Sequence, residues 1–221
     1  PTPFQRNANL SDIYEAEIYL KREDLQMVRS YKIRGAYNKI RTIDPELVTN
    51  GIVCASAGNH AQGVAFSCSK LKIMGSIFMP VTTPRQKIEQ VRMFGKEFIE
   101  IVLTGDTFDA ANSAAIAYAQ ENGKTFIPPF DDPKVMEGQG TIGKEILSQF
   151  HEKLDYIFVP IGGGGLASGL GSYIKAVSPE TKIIGVEPAG APCMKEAIAA
   201  GKVIKLDHID KFVDGAAVQE A

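Results

Sequence analysis

An α/β protein with mostly parallel strands is what this sequence predicts, and three observations carry that reading. Short β-branched apolar runs recur: Gly51-Ile52-Val53-Cys54-Ala55, Ser76-Ile77-Phe78-Met79-Pro80, Phe98-Ile99-Glu100-Ile101-Val102, Tyr156-Ile157-Phe158-Val159 and Lys182-Ile183-Ile184-Gly185-Val186. Between them lie stretches of helical spacing, with Ala61, Val64, Ala65 and Cys68 on one face and Ala111, Ala114, Ala115 and Tyr118 on another. The composition, 44% hydrophobic and 23% charged over 221 residues, is that of an ordinary globular chain able to bury a sizeable core. Buried strands alternating with helices predict a parallel sheet covered by helices on both faces.

The same numbers exclude several function classes. Net charge is −2, with Lys and Arg spread along the chain, so no nucleic-acid face and no membrane-binding patch is expected. Cys54, Cys68 and Cys193 sit in apolar segments without a CxxC pair, and His60, His151 and His208 lack metal-ligand spacing. A reducing, cytoplasmic compartment without a metal site is the expectation. No signal peptide is expected, and the sequence has no apolar run long enough to span a bilayer as a helix.

Taken in order, the chain offers a short strand at Glu17–Lys21 and then Ser30-Tyr31-Lys32-Ile33-Arg34-Gly35-Ala36. Ile33, Ala36, Tyr37 and Ile40 have helical spacing, and Ser30 is the expected cap. Lys32 therefore falls in the first helical turn, where the helix dipole and Arg34 both disfavour an extra positive charge. An amine in that setting can lose its proton and act as a nucleophile, although taken alone it reads as one surface lysine among many. Breakers from Asp44-Pro45 to Asn50-Gly51, and the dense cluster Pro128-Pro129-Phe130-Asp131-Asp132-Pro133, mark boundaries. They predict a smaller lobe, residues 51–127, inserted in a larger one made of 1–50 and 128–221, with a ligand cleft between.

Two junctions read as anion sites. Ser56-Ala57-Gly58-Asn59-His60 lies between a strand and a helix and is sized for a carboxylate; the segment alone reads most simply with Asn59 as helix N-cap. Gly162-Gly163-Gly164-Gly165-Leu166 follows a buried strand and opens a helix, the arrangement that cradles a phosphate. No Gly-Lys-Ser or Gly-Lys-Thr follows, which excludes the nucleotide-hydrolase loop. The relaxed dinucleotide fingerprint does fit, as Gly162-x-Gly164-x-x-Ala167 with Glu187 ending the next strand, so an NAD-dependent oxidoreductase stays open at this point.

The three segments, in this order and spacing, resemble the β-family of pyridoxal-phosphate enzymes (fold type II), and closely the serine/threonine dehydratases. Tyr19–Gln26 and Gly138-Gln139-Gly140-Thr141 match as well, and Gly185–Pro188 with Asp214–Val218 looks most like the biosynthetic threonine dehydratases. The resemblance implies a lyase that turns L-threonine, and L-serine as a second substrate, into a 2-oxo acid and ammonia. For L-threonine that is the first committed step of isoleucine, a branched-chain amino acid; a catabolic dehydratase is the alternative. It implies that Lys32 carries pyridoxal 5'-phosphate as a Schiff base, with Tyr31 beside the ring and Asn59 on its phenolic oxygen. It also implies that Gly162 to Leu166 bind the phosphate and that Ser56, Ala57, Gly58, Asn59 and His60 hold the substrate carboxylate. An allosteric homo-oligomer is implied too. The group facing the pyridine nitrogen is expected from a segment after residue 221. Members that racemise serine have a serine at the position of Ala57, and a cation ligand of some relatives is matched by Cys193, so no cation site is expected.

Overall fold

The computed structural model describes residues 1–210 and 212–220. β1 (Phe4–Arg6) and β2 (Tyr19–Lys21) form an antiparallel pair around α1 (Ala8–Tyr14). α2 (Lys32–Thr42) follows. Next come β3 (Ile52–Ala55), α3 (Asn59–Leu71), β4 (Gly75–Met79), α4 (Arg85–Gly95), β5 (Ile99–Leu103), α5 (Phe108–Glu121) and β6 (Thr125–Phe126) in strict alternation. Their four strands make one parallel sheet in the order β5-β4-β3-β6. The chain continues through α6 (Pro133–Gln149), β7 (Tyr156–Pro160), α7 (Gly165–Val177), β8 (Lys182–Val186) and α8 (Cys193–Ala200), and β7 pairs with β8 in parallel.

The alternation of β3 explains the first core. Ile52 and Cys54 point to one face, where they pack with Ala61, Val64, Ala65 and Cys68 of α3 and with Ile88 and Val91 of α4. Val53 and Ala55 point to the other, against Ala115 and Ala119 of α5. A strand buried on both sides needs apolar residues at every position, and β3 is buried throughout. The second sheet is different. Val159 of β7 is buried against Leu166, Leu170 and Ile174 of α7. The opposite face carries Phe158 (67% exposed), Tyr156, Ile184 and Val186, all open among the described residues. Two parallel sheets and an antiparallel pair make up the mostly parallel α/β fold that was expected, but only the larger sheet has the predicted helices on both faces. A chain of packed helices, α3 on α2, α2 on α6 and α6 on α7, joins them.

The helix contacts are close because their crossing points lack side chains. A Cβ on Gly138 of α6 would stand 2.5 Å from the Arg34 carbonyl of α2. The breaker cluster before α6 doubles as its cap: Asp132 accepts from the N–H groups of Lys134 (2.8 Å) and Val135 (3.1 Å), and Pro133 opens the helix. Lys39 of α2 donates to the same carboxylate at 2.6 Å.

Candidate active site

Lys32 is the first residue of α2. Tyr31 occupies the cap position in place of Ser30, the expected cap; Ser30 stands one residue outside it and its hydroxyl accepts the Lys32 N–H at 3.2 Å. The Lys32 Nζ donates to the Pro129 carbonyl at 2.7 Å and lies 5.7 Å from the ring centre of Tyr31 and 5.8 Å from that of Phe130. Burial pushes this amine down from 10.5 to about 8. That shift corresponds to roughly 3 kcal/mol against the charged form, more than the ~0.5–2 kcal/mol by which an aromatic face favours it, so desolvation wins.

Arg34 plays no part in that shift, contrary to the sequence reading. Its guanidinium turns away and pairs with Glu23 (2.8 Å) and Glu145 (2.7 Å), and Lys21 reaches the same Glu145 at 2.6 Å. These pairs tie the segment before α2 to α6 and leave the site free of the arginine's charge.

The asparagine loop joins β3 to α3. Ser56 still belongs to the ladder, donating its N–H to the Phe78 carbonyl at 3.0 Å, and its hydroxyl accepts the Gly58 N–H at 3.1 Å. Gly58 is the N-cap, so the capping role read for Asn59 is corrected: Asn59 is the first helical residue and its side chain is exposed. The first helical bond is Gln62 N–H to Gly58 O at 3.2 Å, which leaves the N–H groups of Asn59, His60 and Ala61 without helical acceptors. Ala57 packs on the core beneath. His60 is buried, and its Nε2 lies 2.9 Å from the Ile127 carbonyl, so toward an anion it offers its backbone N–H rather than its ring. α3 also abuts α2, since a Cβ on Gly63 would stand 3.1 Å from the Ile33 Cα.

The glycine run leaves β7 after Ile161, whose N–H donates to Val186 O at 2.8 Å. Gly164 turns the chain with φ +80°, a left-handed conformation that favours glycine, and caps α7. Ser168 N–H makes the first helical bond, to Gly164 O at 2.8 Å, so the N–H groups of Gly165, Leu166 and Ala167 face outward from the helix end. A Cβ on Gly163 would stand 2.5 Å from the Phe130 ring. Leu166 belongs to the second core, on which Tyr31 packs.

The segment Pro129-Phe130 is what brings Lys32 and the glycine run together, and sequence reasoning had treated it as a lobe boundary only. The signal was its place: it follows a strand and immediately precedes a capped helix, as the two anion loops do. A separate open groove of about 540 Å³ lies between α6 and α7, lined by Met136, Gly140, Thr141 and Tyr173 among others, and does not include Lys32.

A family model described as pyridoxal-phosphate dependent enzyme matches residues 1–221. The chain belongs to this family. Biosynthetic L-threonine dehydratases of Halalkalibacterium halodurans and Bacillus subtilis are each 60% identical over 219 residues, covering 99% of this chain and 53% and 52% of theirs. The chain thus spans about half the length of the curated relatives it matches. The processed form of threonine deaminase isoform 2 from Solanum lycopersicum superposes with a TM-score of 0.96 at 45% identity, covering 100% of this chain and 63% of that one. The fold is that of the pyridoxal-phosphate β-family, fold type II.

The residues present fit the family's cofactor. An aldehyde-bearing phosphate needs an amine whose neutral form is populated near physiological pH and a cradle of backbone donors open to an anion. Lys32 meets the first requirement, and the side-chain-free run at the start of α7 meets the second. The dinucleotide reading falls at Glu187, the acid it assigned to a ribose. Both carboxylate oxygens of Glu187 accept backbone N–H groups at the start of α8, from Met194 and Lys195, at 2.8 Å each.

Proposed function

We propose that this chain carries the catalytic centre of a biosynthetic threonine dehydratase, which converts L-threonine to 2-oxobutanoate and ammonia and accepts L-serine as a second substrate. The observation that carries the reading is the half-buried Lys32, whose desolvated amine titrates near 8 and is linked through Phe130 to the open helix end of the glycine run. Bound pyridoxal phosphate supplies an electron sink for the electrons of the broken Cα–H bond. Lys32 holds the cofactor and, once free of it, takes the Cα proton; an amine titrating near 8 is neutral often enough to do so at physiological pH. The Gly162–Leu166 segment holds the phosphate through N–H groups and the positive helix end. The Ser56–His60 loop holds the substrate carboxylate in the same way from α3, with the Asn59 amide available to the phenolic oxygen. Tyr31 and Phe130 keep water from the amine.

Residues 51–127 form the smaller lobe in this reading, with 1–50 and 128–221 the larger. The self-contained sheet β3–β6 supports that division. A cytoplasmic setting is supported by three buried cysteines without a disulfide, and among the described residues no helix is long and apolar enough to cross a membrane. Association into homo-oligomers belongs to the same reading, as the family resemblance implies.

The test is spectroscopic. The holoprotein should absorb in the visible range, borohydride should fix the chromophore, and peptide mapping should find it on Lys32 alone. Lys32→Ala should abolish the fixed adduct while phosphate-dependent binding of the cofactor persists. An adduct that survives the substitution refutes the assignment.

A further inference from the structure

His60 is 3% exposed, and its Nε2 lies 2.9 Å from the Ile127 carbonyl. A carbonyl oxygen only accepts, so Nε2 carries the proton. The Ile127 N–H donates to Val53 O at 2.8 Å, extending the β3–β6 ladder by one residue. Both polar groups of Ile127 are therefore pinned, one to β3 and one to α3. Two residues on, the Pro129 carbonyl accepts the Lys32 Nζ at 2.7 Å, and Phe130 lies against Gly163. Pro128 and Pro129 have fixed φ, so little slack separates the pinned carbonyl from the one that holds the amine.

We propose that His60 is a positioning residue of the site: its Nε2–H, by holding the Ile127 carbonyl, sets where the Pro129 carbonyl stands against Lys32 and so presents the amine for reaction. The inference rests on Lys32 being the cofactor anchor. The bond joins two segments that each carry site groups, the N–H end of α3 and the 127–130 stretch, so one histidine aligns the carboxylate loop with the lysine. Burial, with the nearby Lys32 charge, holds the imidazole at about 3, and the bond persists unchanged while Lys32 titrates.

The test uses the holoenzyme and its apoprotein with three variants, H60L, H60N and H60Q. Glutamine carries an N–H at about the reach of Nε2, asparagine stops short of it, and leucine has none. The first quantity is the rate of covalent attachment of pyridoxal phosphate, read by visible absorbance and by the borohydride-fixed Lys32 peptide. The second is the affinity for pyridoxine phosphate, which has the phosphate but no aldehyde and cannot react with Lys32. Loss of one positioning hydrogen bond should slow attachment about tenfold in H60L and H60N and within about threefold in H60Q, with pyridoxine phosphate affinity held within about twofold throughout. Attachment at the wild-type rate in H60L overturns the proposal. Glutamine behaving no better than leucine, or both quantities falling together, also overturns it. If the leucine and asparagine variants do not fold, the ring of the unsubstituted protein decides. A long-range proton–nitrogen spectrum should show a neutral, Nε2-protonated imidazole, and an Nδ1-protonated or charged ring overturns the proposal. Failure of the wild type to attach at Lys32 defeats the parent reading, whereas normal attachment in the wild type with no slowing in H60L defeats this inference alone.

Discussion

Lys32 loses the solvent that keeps an ordinary lysine charged, and its pKa falls from 10.5 to about 8. Between those values the unfolded chain binds more protons at this residue than the folded one, so raising the pH favours the fold. Below pH 8 both states are charged and the full burial cost is felt; above 10.5 it is gone. Urea unfolding of wild type against Lys32→Met should show the wild type gaining on the order of 3 kcal/mol relative to the variant as pH rises from about 8 to 10.5. A difference that stays flat with pH would mean the amine is not buried. Ala57, in the asparagine loop, carries a methyl group that can neither donate nor accept a proton. The holoenzyme is therefore expected to eliminate without racemising. Ala57→Ser should raise D-serine formation from L-serine, and the gain should stay within the roughly 10²–10⁴-fold that general acid assistance provides. Chiral chromatography with pyruvate followed in parallel checks this; wild-type enzyme that already makes D-serine as fast as pyruvate contradicts it.

Helix α2 is held from two sides, by α3 at Gly63 and by α6 at Gly138, and both contacts depend on backbones meeting without side chains. An alanine at 138 would push its methyl into the Arg34 carbonyl, two residues from Lys32. Overpacking of this kind costs about 1–3 kcal/mol, and for a chain of this size each kcal/mol lowers the melting midpoint by about 2–4 °C. Gly138→Ala should therefore melt several degrees earlier, while alanine at Gly58, where a Cβ meets open space, should cost far less. Scanning calorimetry of the two variants separates them, and equal midpoints would show that α2 and α6 have room to part. The same elements carry the Arg34–Glu145–Lys21 pairs, so the helix that bears Lys32 is anchored on the face away from the site.

Across the whole molecule, acid should act in two stages. His60 is neutral in the fold at about 3 and ordinarily titrates at 6.5, so the unfolded chain takes up a proton that the folded one refuses as pH drops below 6.5. Glu145 is held at about 2 by Arg34 and Lys21, against an ordinary 4.5, so its stabilisation is lost only as pH falls below 4.5. From pH 6.5 to 4.5 the histidine acts alone and should remove up to about 1.4 kcal/mol per pH unit; the glutamate joins it below that. In His60→Gln the first stage should disappear and the second remain. Chemical unfolding at a series of pH values reads both. A variant whose stability still falls between 6.5 and 4.5 as steeply as the wild type's would show that other groups drive the loss.

Strands β2 to β5, β7 and β8 and helices α2, α3, α5 and α7 were legible in the sequence because periodicity and β-branching act over a few residues, whereas β1, β6, α1, α4, α6 and α8 were not read from it. β8 spans the residues predicted for it, and Ala61, Val64, Ala65 and Cys68 are all buried on one face as spaced. The glycine run was legible for the same reason: a stretch without Cβ atoms between a strand and a helix leaves the backbone free to turn at Gly164. That Lys32 starts a helix is likewise local. Its pKa is not, since it depends on Tyr31 and on Pro129, 97 residues away, with the adjoining Phe130, closing around the amine. Arg34 looked like a neighbour that would disfavour charge on Lys32, but Glu23 and Glu145, the latter 111 residues away, turn it aside. His60 looked like part of a substrate loop, and only the 127–130 segment passing beneath α3 draws its ring inward. Local sequence determined which backbone groups stand free at the helix ends. Tertiary structure decided which side chains lose their water and what they bond instead, because desolvation and long-range hydrogen bonds depend on what packs nearby in space and not on what lies next in the chain.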